Sequence, residues 1–336
     1  MLSTRKVLIG FYLISLITSV GWVWQSGYAR LTSQNHQQLD IFATHLQSQL
    51  QRFNAIPKLL FDQQLIVATL NNLHDRQLGI KTNRYLARVN ATIAAADTYL
   101  IDLSGTTIAA SNWRDTQTFV GKNFAFRPYF QQALTGKQGR YFALGTTSGE
   151  RGYYFSSPVE QQGKVIGVIV VKMDLSQIEK EWTGKKSHFM VTDDDNIIFI
   201  SNQKSWLLHS LIPLSETQLT TVHESRRYGG KSIGALNFSG SLQDEQALLQ
   251  LTTSSLLPSN YLALTKAMPS AGWTVRVFTP LTPIFRDMLL TVLLLTSLFW
   301  VLNVRLNLTI HKRQRAKEKE VMRIKAKHNL KAEVQR

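Results

Sequence analysis

The chain has 336 residues, 44% hydrophobic and 10% aromatic, enough to build one large or two small cores. It holds no cysteine, which excludes disulfides, thiolate catalysis and cysteine metal sites, and permits an oxidising compartment without requiring one. The net charge of +16 invites a nucleic-acid reading, but residues 305–336 carry eleven Lys/Arg against three acids, so +8 of it belongs to one terminal segment.

A short basic tail, residues 1–6 with Arg5 and Lys6, precedes an uncharged apolar run over residues 7–24. A second such run covers residues 288–304. Each is close to the roughly 20 residues a helix needs to cross a hydrocarbon core, which gives spans at 7–26 and 285–304. A cleaved signal peptide competes for the first run, but it needs a small-residue cleavage site. Gly21-Trp22-Val23-Trp24-Gln25 is instead a bulky exit that suits interfacial tryptophans. Positive charge beside membrane ends marks the cytoplasmic side. Both termini are therefore expected inside, with the intervening region in the periplasm of a bacterial inner membrane.

Residues 27–96 read as a helical spine. Leu31, Leu39, Phe42, Leu46, Leu50, Phe53, Leu60, Leu65 and Leu70 recur mainly at spacings of three, four or seven. Pro57 is expected to kink or divide that helix, and a second helix is expected over 82–96. At Asp97 the period becomes that of strands. Tyr99-Leu100-Ile101-Asp102-Leu103, the turn Ser104-Gly105-Thr106 and Ile108-Ala109-Ala110-Ser111-Asn112 form a hairpin signal. A short helix follows, opened by Pro128 and stopped by Gly136, then strands at 139–145, 152–159 and 165–173 and a helix at 174–182. The hairpin then recurs from Phe189 through Asp193-Asp194-Asp195-Asn196 to Asn202, 90 residues after Asn112. Strands at 261–267 and 273–278 complete the region. The repeat predicts an α+β fold, one long N-terminal helix carrying two tandem units with antiparallel sheets, at 97–182 and 183–280.

This arrangement resembles the double Cache family of extracellular sensors, whose two PAS-like modules hang on one long helix. Three stretches are similar to the C4-dicarboxylate sensor histidine kinases: Phe126-Arg127-Pro128-Tyr129-Phe130; Gly145-Thr146-Thr147-Ser148-Gly149 with Gly152-Tyr153-Tyr154-Phe155; and Val171-Lys172-Met173-Asp174-Leu175. Gly272-Trp273-Thr274-Val275-Arg276-Val277 before the second span is similar too. The resemblance implies a transmembrane sensor in two-component signalling, with a dicarboxylate of the succinate, fumarate or malate type bound in the distal module.

A small dianion calls for cationic and hydrogen-bond donors in a concave site. Arginine offers a planar fork for a carboxylate and lysine a point charge. Arg127 opens the short helix. Lys172 lies in an apolar strand, where it either faces solvent by alternation or lines a pocket; the resemblance favours the pocket for it and ligand contact for Arg127. Thr146, Thr147 and Ser148 bring hydroxyls, or else form a strand-end loop that is polar anyway. Tyr129 and Tyr153 are candidate phenolic donors, although alternation sends one of Tyr153 and Tyr154 into the core. Related sensors often carry tyrosine three residues before the arginine. Phe124 stands there, so affinity or ligand choice is expected to differ. Asp174 fits a helix N-cap; in amino-acid-binding relatives an acid there meets the ligand ammonium.

The Asp193–Asn196 run lacks the glycine and terminal glutamate of a calcium loop and sits where a hairpin turn is required. No Gly-x-Ser-x-Gly elbow or phosphate-binding Gly-x-x-x-x-Gly-Lys run occurs. No catalytic residue, metal or cofactor is assigned. Residues 305–336 form a basic helical linker: Val321, Ile324 and Val334 suit a short coiled coil, and a solvated helix near anionic lipid is the alternative. A sensor kinase continues from such a linker into a phosphoacceptor helix and an ATP-binding domain. His311 and His328 lack that setting, so either the chain is a truncated product or the output resides in a partner. The expected partners are a small dicarboxylate, a second copy in a homodimer, and a response regulator or dicarboxylate transporter. Nucleic acid is excluded, because the tail follows a span and has no aromatic for base stacking. Two other readings are a chemoreceptor for a different organic acid or amino acid, and an anchored hydrolase.

Overall fold

The computed structural model describes residues 2–60, 64–242, 244–251 and 259–334, with side chains between Lys6 and Lys325. The chain divides into two units: Met1–Ser33 with Leu281–Arg336, and Gln34–Pro280.

The first unit comprises the start of α1 (Leu2–Leu60) and α7 (Thr282–Val334). Each contains an apolar window of mean hydropathy 1.9 in which no residue is fully buried. Both are long and apolar enough to cross a membrane, and Phe11, Ile14, Ile17, Leu289 and Leu294 are left bare, as lipid-facing side chains are. The helices touch through Tyr12, which stacks on Phe299 at 4.4 Å and hydrogen bonds Thr296 Oγ1 at 2.8 Å. Gly27 lets Ile284 approach, since an added Cβ would stand 3.3 Å from its side chain.

In the second unit, α1 buries Leu39, Phe42, Leu46, Leu50, Phe53, Ile56 and Leu60 along one stripe. Pro57 does not divide the helix; it lies within it, one turn before the end at Leu60. Next come α2 (Gln64–Asn71) and α3 (Arg76–Ile93). The latter starts earlier than periodicity indicated, because Asp75 Oδ1 accepts from the backbone N–H groups of Gln77 at 2.8 Å and Leu78 at 3.1 Å.

A five-stranded antiparallel sheet follows, made of β1 (Asp97–Asp102), β2 (Thr107–Ala110), β3 (Gly139–Leu144), β4 (Arg151–Gln161) and β5 (Lys164–Asp174) in the order β2-β1-β5-β4-β3. Helix α4 (Pro128–Leu134) lies between β2 and β3, and α5 (Leu175–Glu181) closes the module. Asp174 is the N-cap of α5: its carboxylate accepts from Ser176 N and Ser176 Oγ, each at 2.8 Å.

The second sheet begins with β6 (His188–Thr192) and β7 (Ile198–Ser201). Their turn is the aspartate run, in which Asp193 Oδ1 accepts from Asp195 N and Ile197 N, and Asn196 takes φ 58°. The two-residue strands β8 (His209–Ser210) and β9 (Gly234–Ala235) pair in parallel on either side of α6 (Glu216–Glu224). Then come β10 (Phe238–Ser239), β11 (Gln246–Leu251), β12 (Ser259–Met268) and β13 (Trp273–Pro280). The sheet order is β10-β11-β12-β13-β6-β7. In both sheets the opening hairpin lies at the edge and the last strand sits beside the first, so the repeat is one of topology. The segment between β7 and β12 gives no such signal: β11 is half exposed and β8 to β10 are two residues each.

The inner faces of both sheets and α1 share a single core. Phe142 meets Phe199 at 4.3 Å and Tyr153 meets Trp273 at 4.8 Å across it. The outer faces have separate cores.

Candidate functional site

Register decides what the outer face of the first sheet displays. Lys172 on β5 stands opposite Asp97 on β1 and Tyr154 on β4, and Val170 stands opposite Tyr99. With side chains alternating every residue, Tyr99, Tyr154, Val168, Val170 and Lys172 point to one side. Tyr153, Phe155 and Val171 point into the shared core. Tyr153 therefore does not line the site; Tyr154 does. Alternation gives strand phase only relative to a known face, and both faces here are covered and apolar.

Two cations approach this face from different elements. Lys172 is 1% exposed, and its Nζ donates to Ser148 Oγ at 3.0 Å. The ammonium lies 3.7 Å from Asp97 Oδ2, 4.0 Å from Glu150 Oε2 and 6.0 Å above the Phe119 ring. Its stem crosses Gly152, where an added Cβ would fall 2.6 Å from Lys172 Cε. Arg127, 2% exposed, precedes α4, with Pro128 setting the first helical turn. Its guanidinium donates to two backbone carbonyls, Leu144 O at 3.1 Å and Arg226 O at 3.4 Å, and lies 4.9 Å over Phe126. Among the described residues no carboxylate forms an ion pair with it.

Beside Arg127 is a narrow cavity of about 10 Å³, room for roughly one water. Tyr99, Tyr129, Tyr154, Phe119 and Phe124 line it together with Arg127, Gly145, Thr146 and Thr147. The Tyr99 and Tyr129 hydroxyls hydrogen bond at 2.8 Å, and Tyr129 stacks on Tyr154 at 5.2 Å. Burial pushes all three phenols up, so they stay neutral donors. Burial also raises Asp97 to about 6, against the opposing pull of Lys172. The 145–150 loop is closed by its own bonds: Gly145 N to Glu150 O at 2.8 Å and Gly149 N to Gly145 O at 2.9 Å.

The structure thus gathers Arg127, Thr146, Thr147, Tyr129 and Phe124 around one cavity, with Lys172 held to Ser148 next to it. Reading the sequence missed Asp97, Tyr99, Phe119 and Tyr154. It also missed a strap from the second module. Arg227 O accepts from Leu144 N at 2.7 Å, and the Arg226 guanidinium lies 5.5 Å over the Phe126 ring that Arg127 also covers. The strap is tied to the β6–β7 turn: Arg227 Nη1 is 3.3 Å from Asp193 Oδ2, and the buried Tyr228 hydroxyl donates to the same oxygen. Only the positive φ of Arg226 (49°) and of Gly229 and Gly230 marks the bend locally.

A model of the Cache domain matches residues 28–288. The C4-dicarboxylate transport sensor protein DctB of Pseudomonas aeruginosa is 34% identical over 257 residues, 76% of this chain and 39% of that protein. DctB of Rhizobium meliloti is 32% identical over 257 residues, 75% of this chain and 41% of that protein. The chain thus spans about two fifths of the length of these curated relatives. Among solved structures, the sensor domain of the V. cholerae histidine kinase DctB superposes with TM-score 0.73 at 42% identity, covering 76% of this chain and 98% of that one. The sensory domain of the Campylobacter jejuni chemoreceptor Tlp3, at 16% identity and TM-score 0.51 over 79% of this chain and 99% of that one, shares the fold. With the family model over most of its length and DctB proteins among its homologues, the chain belongs to the Cache domain family.

Proposed function

We propose that this chain senses a C4-dicarboxylate through the outer face of its first module. The observation that carries the reading is the pair of almost fully buried cations on one face: Arg127 lines a tyrosine-walled cavity, and Lys172 stands opposite Tyr154 of the same cavity on the neighbouring strand. Among the described residues Arg127 donates only to neutral carbonyls. One ligand carboxylate takes its fork in place of the Arg226 carbonyl. The second meets Lys172 with hydroxyls from Thr147 and Ser148, and the neutral tyrosines donate to the remaining lone pairs. The cavity is too small for a four-carbon acid, so the 145–150 loop must swing outward, and its few closing bonds make that inexpensive. What supports the class of ligand is this charge arrangement together with the names of the DctB relatives.

The same proposal sets the chain in a bacterial inner membrane, with the sensor region periplasmic and both termini cytoplasmic. A homodimer relays the signal to a histidine kinase function and a response regulator, and a dicarboxylate transporter is the natural associate. The charge bias at the ends of the spans supports this orientation. Calorimetry of the detergent-solubilised chain with succinate, fumarate and malate tests the binding. Saturable heat is expected, and Arg127→Ala should weaken it at least about 30-fold, as removing one partner of a buried charge pair does. No heat from any of the three acids, or undiminished binding by that variant, would sink the proposal.

A further inference from the structure

The outer face of the second sheet also carries a buried cation. Arg276 on β13, the strand that ends this module as β5 ends the first, shares its face with Met190, Thr192 and Phe278. It is 5% exposed. Its Nη1 donates to Thr192 Oγ1 and its Nη2 to Asn196 Oδ1 at 2.8 Å, both neutral oxygens. Its Nε is buried and has no hydrogen-bond partner among the described residues. No carboxylate among them forms an ion pair with it. Buried charges in folded proteins are paired, and burial here pulls the guanidinium down to about 10 with no acid opposing the shift. Half-buried Arg227 differs in having a carboxylate partner, Asp193.

The three residues leave a definite donor set. Arg276 Nε–H is free, and Thr192, which accepts from Nη1, keeps its hydroxyl proton to donate. One positive charge with at least these two donors matches an anion of one charge and few atoms. We propose that Arg276, Thr192 and Asn196 form a second anion site in the membrane-proximal module, for a halide or a small monocarboxylate. Such an ion would be held beside the β6–β7 turn through Asn196, and the Arg226–Tyr228 strap is tied to the same turn through Asp193, so its occupancy bears on that turn. The site is independent of the dicarboxylate proposal.

The test is thermal unfolding of the full chain in detergent, at constant ionic strength, in sodium chloride, bromide or acetate against bulky gluconate. The midpoint should rise by about 3–6 °C per tenfold increase of the bound anion above its dissociation constant. Halide dependence without acetate dependence assigns the site to an inorganic ion, and the reverse assigns it to a carboxylate. Arg276→Met should abolish the dependence, while Arg127→Ala retains it. Equal dependence in wild type and Arg276→Met, or none in wild type, overturns the proposal. If Arg276→Met does not fold, anomalous diffraction from wild-type crystals soaked in bromide decides between the outcomes. A peak within hydrogen-bond reach of Nε supports the site; no peak there, together with no acetate-dependent midpoint in wild type, overturns it.

Discussion

Asp97 is the side chain whose replacement separates what the binding site needs from what the fold prefers. Its carboxylate is 13% exposed and sits 3.7 Å from Lys172, an attraction that favours the ionised form. Burial opposes it, aided by Glu150 and Asp115, and burial wins: the group titrates near 6 instead of 3.8. A shift of about two units corresponds to about 3 kcal/mol. Because the folded state holds the proton more tightly, stability from this group is fully present below pH 3.8 and is lost as pH rises through about 6. Above about pH 7 the wild-type chain therefore carries a net penalty of up to that size. Asp97→Asn keeps the shape and discards the charge. It should be no more stable than wild type near pH 4 and up to about 3 kcal/mol more stable at pH 8, which for a body this large is a rise in midpoint of about 6–12 °C.

A dianion arriving beside Lys172 pushes the Asp97 carboxyl further up. Dicarboxylate binding then takes up a proton, and affinity rises as pH falls from 8 towards 6. In Asp97→Asn that slope should flatten. The assay is paired thermal unfolding and calorimetry of the two proteins at several values between pH 4.5 and 8. Parallel stability curves, or a variant less stable than wild type at pH 8, would refute the reasoning, because the Lys172 attraction would then exceed the burial penalty.

Gly152→Ala sets a methyl group 2.6–2.8 Å from the Lys172 stem. It should cost about 1–3 kcal/mol of stability and lower dicarboxylate affinity at least about tenfold by displacing the ammonium; unchanged calorimetry would show that Lys172 does not contact ligand. Asp174→Ala should cost about 1 kcal/mol through the lost α5 cap and leave affinity unaltered, whereas a large loss of affinity would restore its alternative role as a ligand contact. Tyr228→Phe leaves the buried Asp193 carboxylate one donor short, at a cost of about 1–3 kcal/mol in urea unfolding. It should also tighten dicarboxylate binding, since a looser strap competes less for Arg127.

Much of this was readable in advance, for reasons specific to certain residues. The α1 stripe showed because Leu39, Phe42, Leu46, Leu50 and Phe53 all meet one core, so burial imprinted its period on the sequence. The two hairpins showed because their turns need Gly105 or Asn196 in positive φ, and few residues serve there. Lys172 stood out as a cation in an apolar strand. Asp97 did not, because its importance rests on strand register, which places it opposite a residue 75 positions later. Tyr154 could not be told from Tyr153, since a sheet covered on both faces carries no polar side to set the phase. The strap was least legible: Arg226–Tyr228 joins the site through backbone carbonyls, and a carbonyl leaves no trace in residue identity.

The arrangement of the cores indicates how a ligand can be felt beyond its own module. The two sheets share their inner faces, where Phe142, Phe199, Tyr153 and Trp273 interlock. Close-packed interiors transmit small displacements stiffly and do not deform continuously. The proposed ligand face lies on the far side of the first sheet, so the sheet itself separates that shared core from rearrangement around Arg127. The strap goes round the edge instead. Leu144, Arg127 and Phe126 engage it at one end, and Asp193 at the other. Its contacts are a few hydrogen bonds and cation–ring pairs, each worth only about 1–2 kcal/mol. One carboxylate competing for the Arg127 fork operates on the same energy scale. A ligand of ordinary affinity can therefore shift the strap where it cannot repack the core, and the turn at Asp193 is where such a shift first enters the second module.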